Sequence, residues 1–273
     1  VLNRSRGPAV WGLRAHIDRA LYKRHMQAEI SNTPNLVTKE ASVEDLIVLP
    51  SSSADADMTS STTEMSSVTK PTIAGITLAD GSSLFARTVV ITTGTFLSGE
   101  IFVGNESRPA GRFGENATYG ISKTLNLLGF RLSRLRTGTP PRLEASTIDY
   151  AHCNLHRPDP EPVPFSFLND RVLIKPSEQL DAYLTHTGPE MIKLVKDSLH
   201  ENFHIAGDVT GPRYCPSLES KILRFPERNH QIWLEHEGFD SPLIYPNGIS
   251  MTPPVDVQIA ILKTIKGLER AKM

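Results

Sequence analysis

Val10, Leu13, Ile17, Ala20 and Leu21 share one face of a helical projection, while Arg14, Arg19, Lys23 and Arg24 lie largely elsewhere. That pattern, following Gly7-Pro8, predicts a surface helix ending near Ile30. A second helix is expected over residues 116–128, with Ile121, Leu125 and Leu128 facing inward and Gly129 ending it. A third opens at Pro189 and carries Ile192, Val195 and Leu199; a last one, residues 254–270, carries Ile261, Leu262, Ile265 and Leu268. Between these two, Leu218, Ile222 and Phe225 recur on one face behind Pro216, which suits a first helical position. Strand patterns occupy residues 36–49 and a hairpin, residues 73–78 and 83–86, turning at Asp80-Gly81. Residues 88–93 form a continuous apolar, β-branched run ended by Gly94, as in a strand buried on both faces whose carboxyl end is a natural ligand edge. Residues 130–136 read as a strand with exposed arginines, stopped by Thr137-Gly138-Thr139-Pro140-Pro141.

Two stretches break the alternation. Residues 50–71 are rich in Ser, Thr and Asp and lack the apolar content to fold, which predicts a disordered insertion. From 142 to 211 the elements become short and proline-rich and read as an inserted subdomain. Residues 1–141 and 212–273 then belong to one larger domain.

Composition narrows the picture further. At 273 residues and 39% hydrophobic content the chain can bury a substantial core. No apolar run approaches the roughly 20 residues of a membrane-spanning helix. Val1-Leu2-Asn3-Arg4 looks like neither a signal peptide nor a start, so a fragment is expected. A formal charge of −1 excludes a generally basic nucleic-acid binder and leaves RNA contact to local clusters: Arg4 and Arg6, then Arg131, Arg134, Arg136 and Arg142. Two cysteines make no disulfide framework.

Of those cysteines, Cys215 holds the sharper chemistry. It sits at or just before an expected helix start, beside Arg213, where unpaired N–H groups and a guanidinium favour thiolate over thiol. The alternative is a small buried hydrophobe. Arg213 could grip a cofactor phosphate or the Glu219 carboxylate, and Tyr214 could stack on a ring or simply pack. Glu219 and Lys221 read as a solvated helix face. Cys153, in His152-Cys153-Asn154-Leu155-His156, has no second Cys/His pair nearby and reads as structural rather than metal-ligating. His186, just before a helix, suits a capping or structural imidazole.

Four segments carry a resemblance: Asn3-Arg4-Ser5-Arg6-Gly7-Pro8-Ala9, Arg134-Leu135-Arg136-Thr137-Gly138-Thr139-Pro140-Pro141-Arg142, residues 211–225 and Ile244-Tyr245-Pro246-Asn247-Gly248-Ile249-Ser250. In order and spacing the chain resembles the MnmG (GidA) family of tRNA wobble-uridine modifying flavoproteins. The resemblance implies an α/β fold, an incomplete two-dinucleotide-binding (glutathione-reductase-like) FAD domain with an inserted α+β subdomain on the NAD side. It places residues 211–225 on the family's NAD segment, with Gly211, Pro212, Arg213, Tyr214, Cys215, Pro216 and Ser217 as the expected contacts, and Val43 and Thr118 at flavin-contact positions. It also puts His186 on a segment lining the substrate side, the alternative to its structural role. It also implies FAD, NADH and methylenetetrahydrofolate as cofactors, tRNA as substrate, an MnmE-type GTPase partner, a homodimer, and a carboxymethylaminomethyl- or taurinomethyl-type product. Cys215 is expected either to be the nucleophile or to act beside the reduced flavin as part of the NAD site, and Arg134, Arg136 and Arg142 are the expected RNA contacts beside a rigid Pro-Pro turn. The Ser/Thr insertion suits a eukaryotic, mitochondrial member. One departure stands out: the chain contains no Gly-x-Gly-x-x-Gly, so this polypeptide is not expected to hold FAD tightly. Other readings are a different FAD-dependent uracil-modifying enzyme or oxidoreductase, or a non-catalytic RNA-binding remnant.

Overall fold

The computed structural model describes residues 1–50, 70–201 and 217–273. In chain order its elements are α1 (Arg19–Asn32), β1 (Val43–Leu49), β2 (Thr72–Leu78), β3 (Ser83–Phe85), β4 (Glu100–Val103), β5 (Glu106–Pro109) and α2 (Gly120–Leu127). Then follow β6 (Leu143–Glu144), β7 (Asn154–His156), β8 (Ala182–His186), α3 (Pro189–Asp197), α4 (Leu218–Arg224), β9 (Gln231–His236), β10 (Leu243–Asn247) and α5 (Val255–Lys263). They fall into two compact units. One comprises Thr38–Phe102 and Ser107–Arg134, the other Val1–Val37, Val103–Glu106 and Leu135–Met273.

The smaller unit is built on the antiparallel sheet β1-β2-β3. Its hairpin forms where Asp80-Gly81 predicts it: Ile76 faces Leu84, and Gly81 takes φ +80°, a conformation that suits glycine. The Asp80 carboxylate accepts from the Ser82 amide at 2.9 Å, which closes the turn. The helix expected over 116–128 is confined to α2, and Gly129 ends it at φ +82°. Two expected strands are not formed. Val90, in the run 88–93, is 85% exposed, because a strand buried on both faces needs a ladder on each side and no described residue pairs with this run. Residues 130–136 likewise have no ladder, and Phe130, Leu132 and Leu135 stay exposed. The expected insertion, but for its ends, lies outside the described residues.

In the larger unit the sheet order is β6-β10-β9-β8-β7, antiparallel throughout. Ile232 and Leu234 of β9 alternate inward and meet Ile244 of β10, Met191 and Val195 of α3, and Leu218 and Ile222 of α4. Ile261, Leu262, Ile265 and Leu268 close the same core, as their spacing predicts. Each such side chain contributes roughly 1.5–3 kcal/mol by leaving water. α5 stops at Lys263 rather than near 270. At Gly267, φ +89°, a Cβ would lie 2.7 Å from the Cys153 Sγ, so the chain turns there against the residues before β7.

The first helix differs most from its expected extent. α1 begins nine residues later than Val10 and buries none of its residues. Asp18 caps it, accepting from the Leu21 amide at 2.8 Å, and the same carboxylate accepts from the Phe239 amide at 2.8 Å. These bonds hold its pKa below the usual carboxylate value. Just upstream, Arg14 pairs at 2.9 Å with the buried Glu235 of β9, and His16 pairs with the same carboxylate. A helix through residues 10–18 would forfeit these contacts.

The expected division at 141/142 and 211/212 does not coincide with the two units. β8 pairs with β9 across the second boundary, Leu184 facing Trp233, so elements on both sides of residue 211 share one sheet and one core. Among the described residues, no helix is long and apolar enough to cross a membrane.

Candidate functional site

In the larger unit three of the four signature segments meet at residues 248–252. The Leu218 amide donates to the Ser250 carbonyl at 2.7 Å, and Lys221 Nζ donates to the Gly248 carbonyl at 2.7 Å. Gly138, of the Gly-Thr-Pro-Pro turn, approaches so closely that a Cβ there would stand 2.7 Å from the Ser250 Cβ. Gly248 is held at φ +116°, where a Cβ would lie 2.5 Å from the Gln231 carbonyl oxygen. Both glycines are therefore fixed by sterics.

Glu219 is the residue at this junction that sequence reasoning misplaced. It is fully buried, not on a solvated face: its Oε1 accepts from the Thr252 amide at 3.0 Å and, more distantly, from the Thr252 hydroxyl at 3.4 Å. Among the described residues its Oε2 has no hydrogen-bond partner. Lys221, too, is drawn inward by Gly248. The available signal was spacing: Glu219 lies three residues before the buried Ile222, on the same helix face, and in the first turn, where the helix end favours a carboxylate. Phe225, expected on the buried face, is the C-terminal cap and 44% exposed.

α4 starts later than Pro216 predicts. Ser217 is its N-cap, accepting from the Ser220 amide at 3.3 Å, so the one described residue among the expected NAD contacts 211–217 acts here as a cap. Gly211, Pro212, Arg213, Tyr214, Cys215 and Pro216 lie outside the described residues.

Val43 and Thr118 belong to the smaller unit. Val43 opens β1 opposite Leu78. The Thr118 amide donates to the Phe96 carbonyl at 2.9 Å, its hydroxyl reaches the same oxygen at 3.5 Å, and its carbonyl accepts from Ser98 at 2.7 Å. Thr118 therefore does not cap α2, whose N-cap, Tyr119, makes no side-chain cap bond. Gly120 presses on β1: a Cβ there would be 2.1 Å from the Glu44 carbonyl oxygen. The structure thus brings residues 43–45 and 118–120 together around an uncapped helix start.

The arginines are engaged within the protein. Arg134 Nη1 donates to the Ser98 carbonyl at 2.6 Å. Arg142 Nε donates to Glu237 at 2.7 Å and stacks 5.7 Å over the Tyr245 ring, while Arg19 holds the other side of Glu237 at 3.2 Å. Arg136 is engaged as well. Arg4 pairs with Asp159 at 3.0 Å.

Cys153 is half-buried, its Sγ 3.7 Å from the Asp149 carbonyl; burial, then the Asp149 and Glu269 carboxylates, push the thiol pKa up. His152 turns to Asp149 at 3.1 Å and His156 lies edge-on to Trp233 at 4.6 Å, so the three side chains of this motif serve separate contacts. His186 faces Gln231 across β8 and β9.

Two α/β units, the larger with its signature segments gathered at one loop, define the class as a mixed α/β protein. The chain belongs to the glucose inhibited division protein A family, whose model matches residues 1–273. It is 50% identical over its whole length to the 5-taurinomethyluridine-[tRNA] synthase subunit MTO1, mitochondrial, of Mus musculus, covering 39% of that protein. It is 43% identical to the tRNA uridine 5-carboxymethylaminomethyl modification enzyme MnmG of Synechocystis sp., covering 40%. The structure of Aquifex aeolicus GidA in its form I crystal matches 99% of the chain at a TM-score of 0.83 and 34% identity, over 43% of that chain. The chain therefore spans about two fifths of the length of these relatives.

Proposed function

We propose that the chain is part of a FAD-dependent enzyme that modifies C5 of the tRNA wobble uridine, with a carboxymethylaminomethyl- or taurinomethyl-type product. The observation that carries this reading is the family match over every residue, together with 50% identity to a mitochondrial taurinomethyluridine synthase subunit. That relative also favours a mitochondrial setting. NADH, methylenetetrahydrofolate, an MnmE-type GTPase and a homodimer belong to the same proposal through the family resemblance.

The residues present fit a flavin dinucleotide in part. The start of α2, whose N-cap makes no side-chain cap bond, offers its first-turn amides to a phosphate, and the bare Gly120 lets residues 118–120 lie against β1 near Val43. The Gly-x-Gly-x-x-Gly fingerprint is absent from this sequence. When bound, the flavin would supply the redox step.

For this chain the chemistry rests on Cys215. C5 of uracil is a weak nucleophile until a group adds at C6, and a thiolate is a suitable adduct former. Leu218, Glu219 and Lys221 hold the helix downstream of that cysteine to residues 248–252. The test is to express the complete gene product in cells that lack wobble-uridine modification and to analyse their tRNA nucleosides by mass spectrometry. Return of a C5-aminomethyl-type uridine, with a flavin spectrum in the purified protein, is the expected result; an unmodified wobble position despite bound flavin sinks the assignment. Cys215→Ser should keep the flavin spectrum and lose the product, and undiminished product would remove Cys215 from the mechanism.

A further inference from the structure

Phe113 is 82% exposed at the tip of a turn that is firmly built. The Glu115 amide donates to the Arg112 carbonyl at 3.0 Å, the Gly111 amide to the Glu115 carbonyl at 3.0 Å, and Arg112 pairs with the Glu115 carboxylate at 2.6 Å. Gly114 takes φ +81°, which lets the turn close. Beneath it, the Thr95 hydroxyl donates to the Gly111 carbonyl at 2.5 Å, and Gly111 lies so near the Phe96 ring that a Cβ would be 2.1 Å from it. A turn held this way pays little conformational entropy when it presents its tip to a ligand.

The tip is also charged. The Arg108 guanidinium lies 4.7 Å from the Phe113 ring centroid, and Arg112 stacks 5.7 Å from that of Phe96. Among the described residues no carboxylate forms an ion pair with Arg108, unlike Arg112. An exposed ring backed by an uncompensated guanidinium suits a ligand that is flat and anionic at once. An apolar protein partner would leave that charge desolvated and unpaired. Nucleic-acid grooves that accept unpaired bases combine the same two groups, an aromatic face and a neighbouring cation.

We propose that Phe113 and Arg108 form a stacking platform for an unpaired nucleobase of the RNA substrate, with Arg108 meeting the flanking phosphate. The RNA identity of the ligand rests on the function proposed above. Sequence alone hides the platform, because Arg108-Pro109-Ala110-Gly111-Arg112-Phe113-Gly114 reads as an ordinary polar loop until the stack and the turn are seen.

The test measures binding of the complete gene product to a tRNA with uridine at the wobble position. Phe113→Ala and Arg108→Ala should each weaken binding on the order of tenfold, and Arg108→Ala should also make it less salt-dependent. Phe113→Trp should bind like wild type, whereas Phe113→Leu, which keeps apolar volume and loses the ring, should bind like Phe113→Ala; the Trp/Leu pair decides the matter if the alanine variant does not fold. Unchanged affinity in Phe113→Leu overturns the platform. A changed sedimentation behaviour with unchanged RNA affinity also overturns it and makes the tip a protein-contact surface. Failure of the wild-type protein to bind tRNA would instead strike at the proposed function, so the two failures are distinguishable.

Discussion

Glu219, in the first turn of α4, is removed from water, with its Oε1 held by the Thr252 amide and hydroxyl. Truncation to alanine would remove the carboxylate oxygen that the part-buried Thr252 amide donates to, so Glu219→Ala is expected to cost about 1–3 kcal/mol. Glu219→Gln keeps an acceptor and should cost less; chemical denaturation of the complete gene product would check both. Two histidines supply a pH prediction. Burial pushes the pKa values of His230 and His236 below 6.5, with Lys221 adding to the effect at His230. Both are then neutral in the fold, while the unfolded chain takes up protons near pH 6.5. Their contribution to stability is present above that value and is lost as pH falls through the folded values. Unfolding free energy should therefore decline between pH 7 and 5, and replacing both histidines by glutamine should flatten that slope.

At the scale of elements, legibility followed how local the determining signal was. The Asp80-Gly81 hairpin, the helix opened by Pro189 and the four buried positions of residues 261–268 are written in adjacent residues, and each appears in the structure. Residues 88–93 carry a strand's composition, but a strand also needs neighbours, which composition does not report. The start of α1 is set by Glu235 and Phe239, more than 200 residues away, which hold residues 14–18 out of the helix their periodicity suggests. The candidate site was legible as motifs and not as geometry: the segments around Gly138, Ser217 and Gly248 were recognisable, while their meeting at 248–252 and the burial of Glu219 were not. α2 offers a direct test. With the Glu44 carbonyl 2.1 Å from the place a Cβ would occupy, Gly120→Ala should force α2 off β1 and cost about 1–3 kcal/mol, read as a lower unfolding midpoint; a neutral effect would show that the helix can shift freely.

For the whole molecule, the strand order β6-β10-β9-β8-β7 implies a schedule. The sheet's second position belongs to β10, its last strand to be synthesised, and among the described residues β6 has no other strand partner. β6 is further fastened by the Glu144 amide to the Lys272 carbonyl at 2.9 Å. A chain ending at Pro242 should accordingly fail to order Trp233 in β9, seen as a red-shifted tryptophan emission, and native-like emission from such a chain would refute this. On the ribosome the larger unit must then wait until nearly all of these residues have emerged. During that interval the β9 edge that β10 will cover has no strand beside it and is open to pairing with another chain.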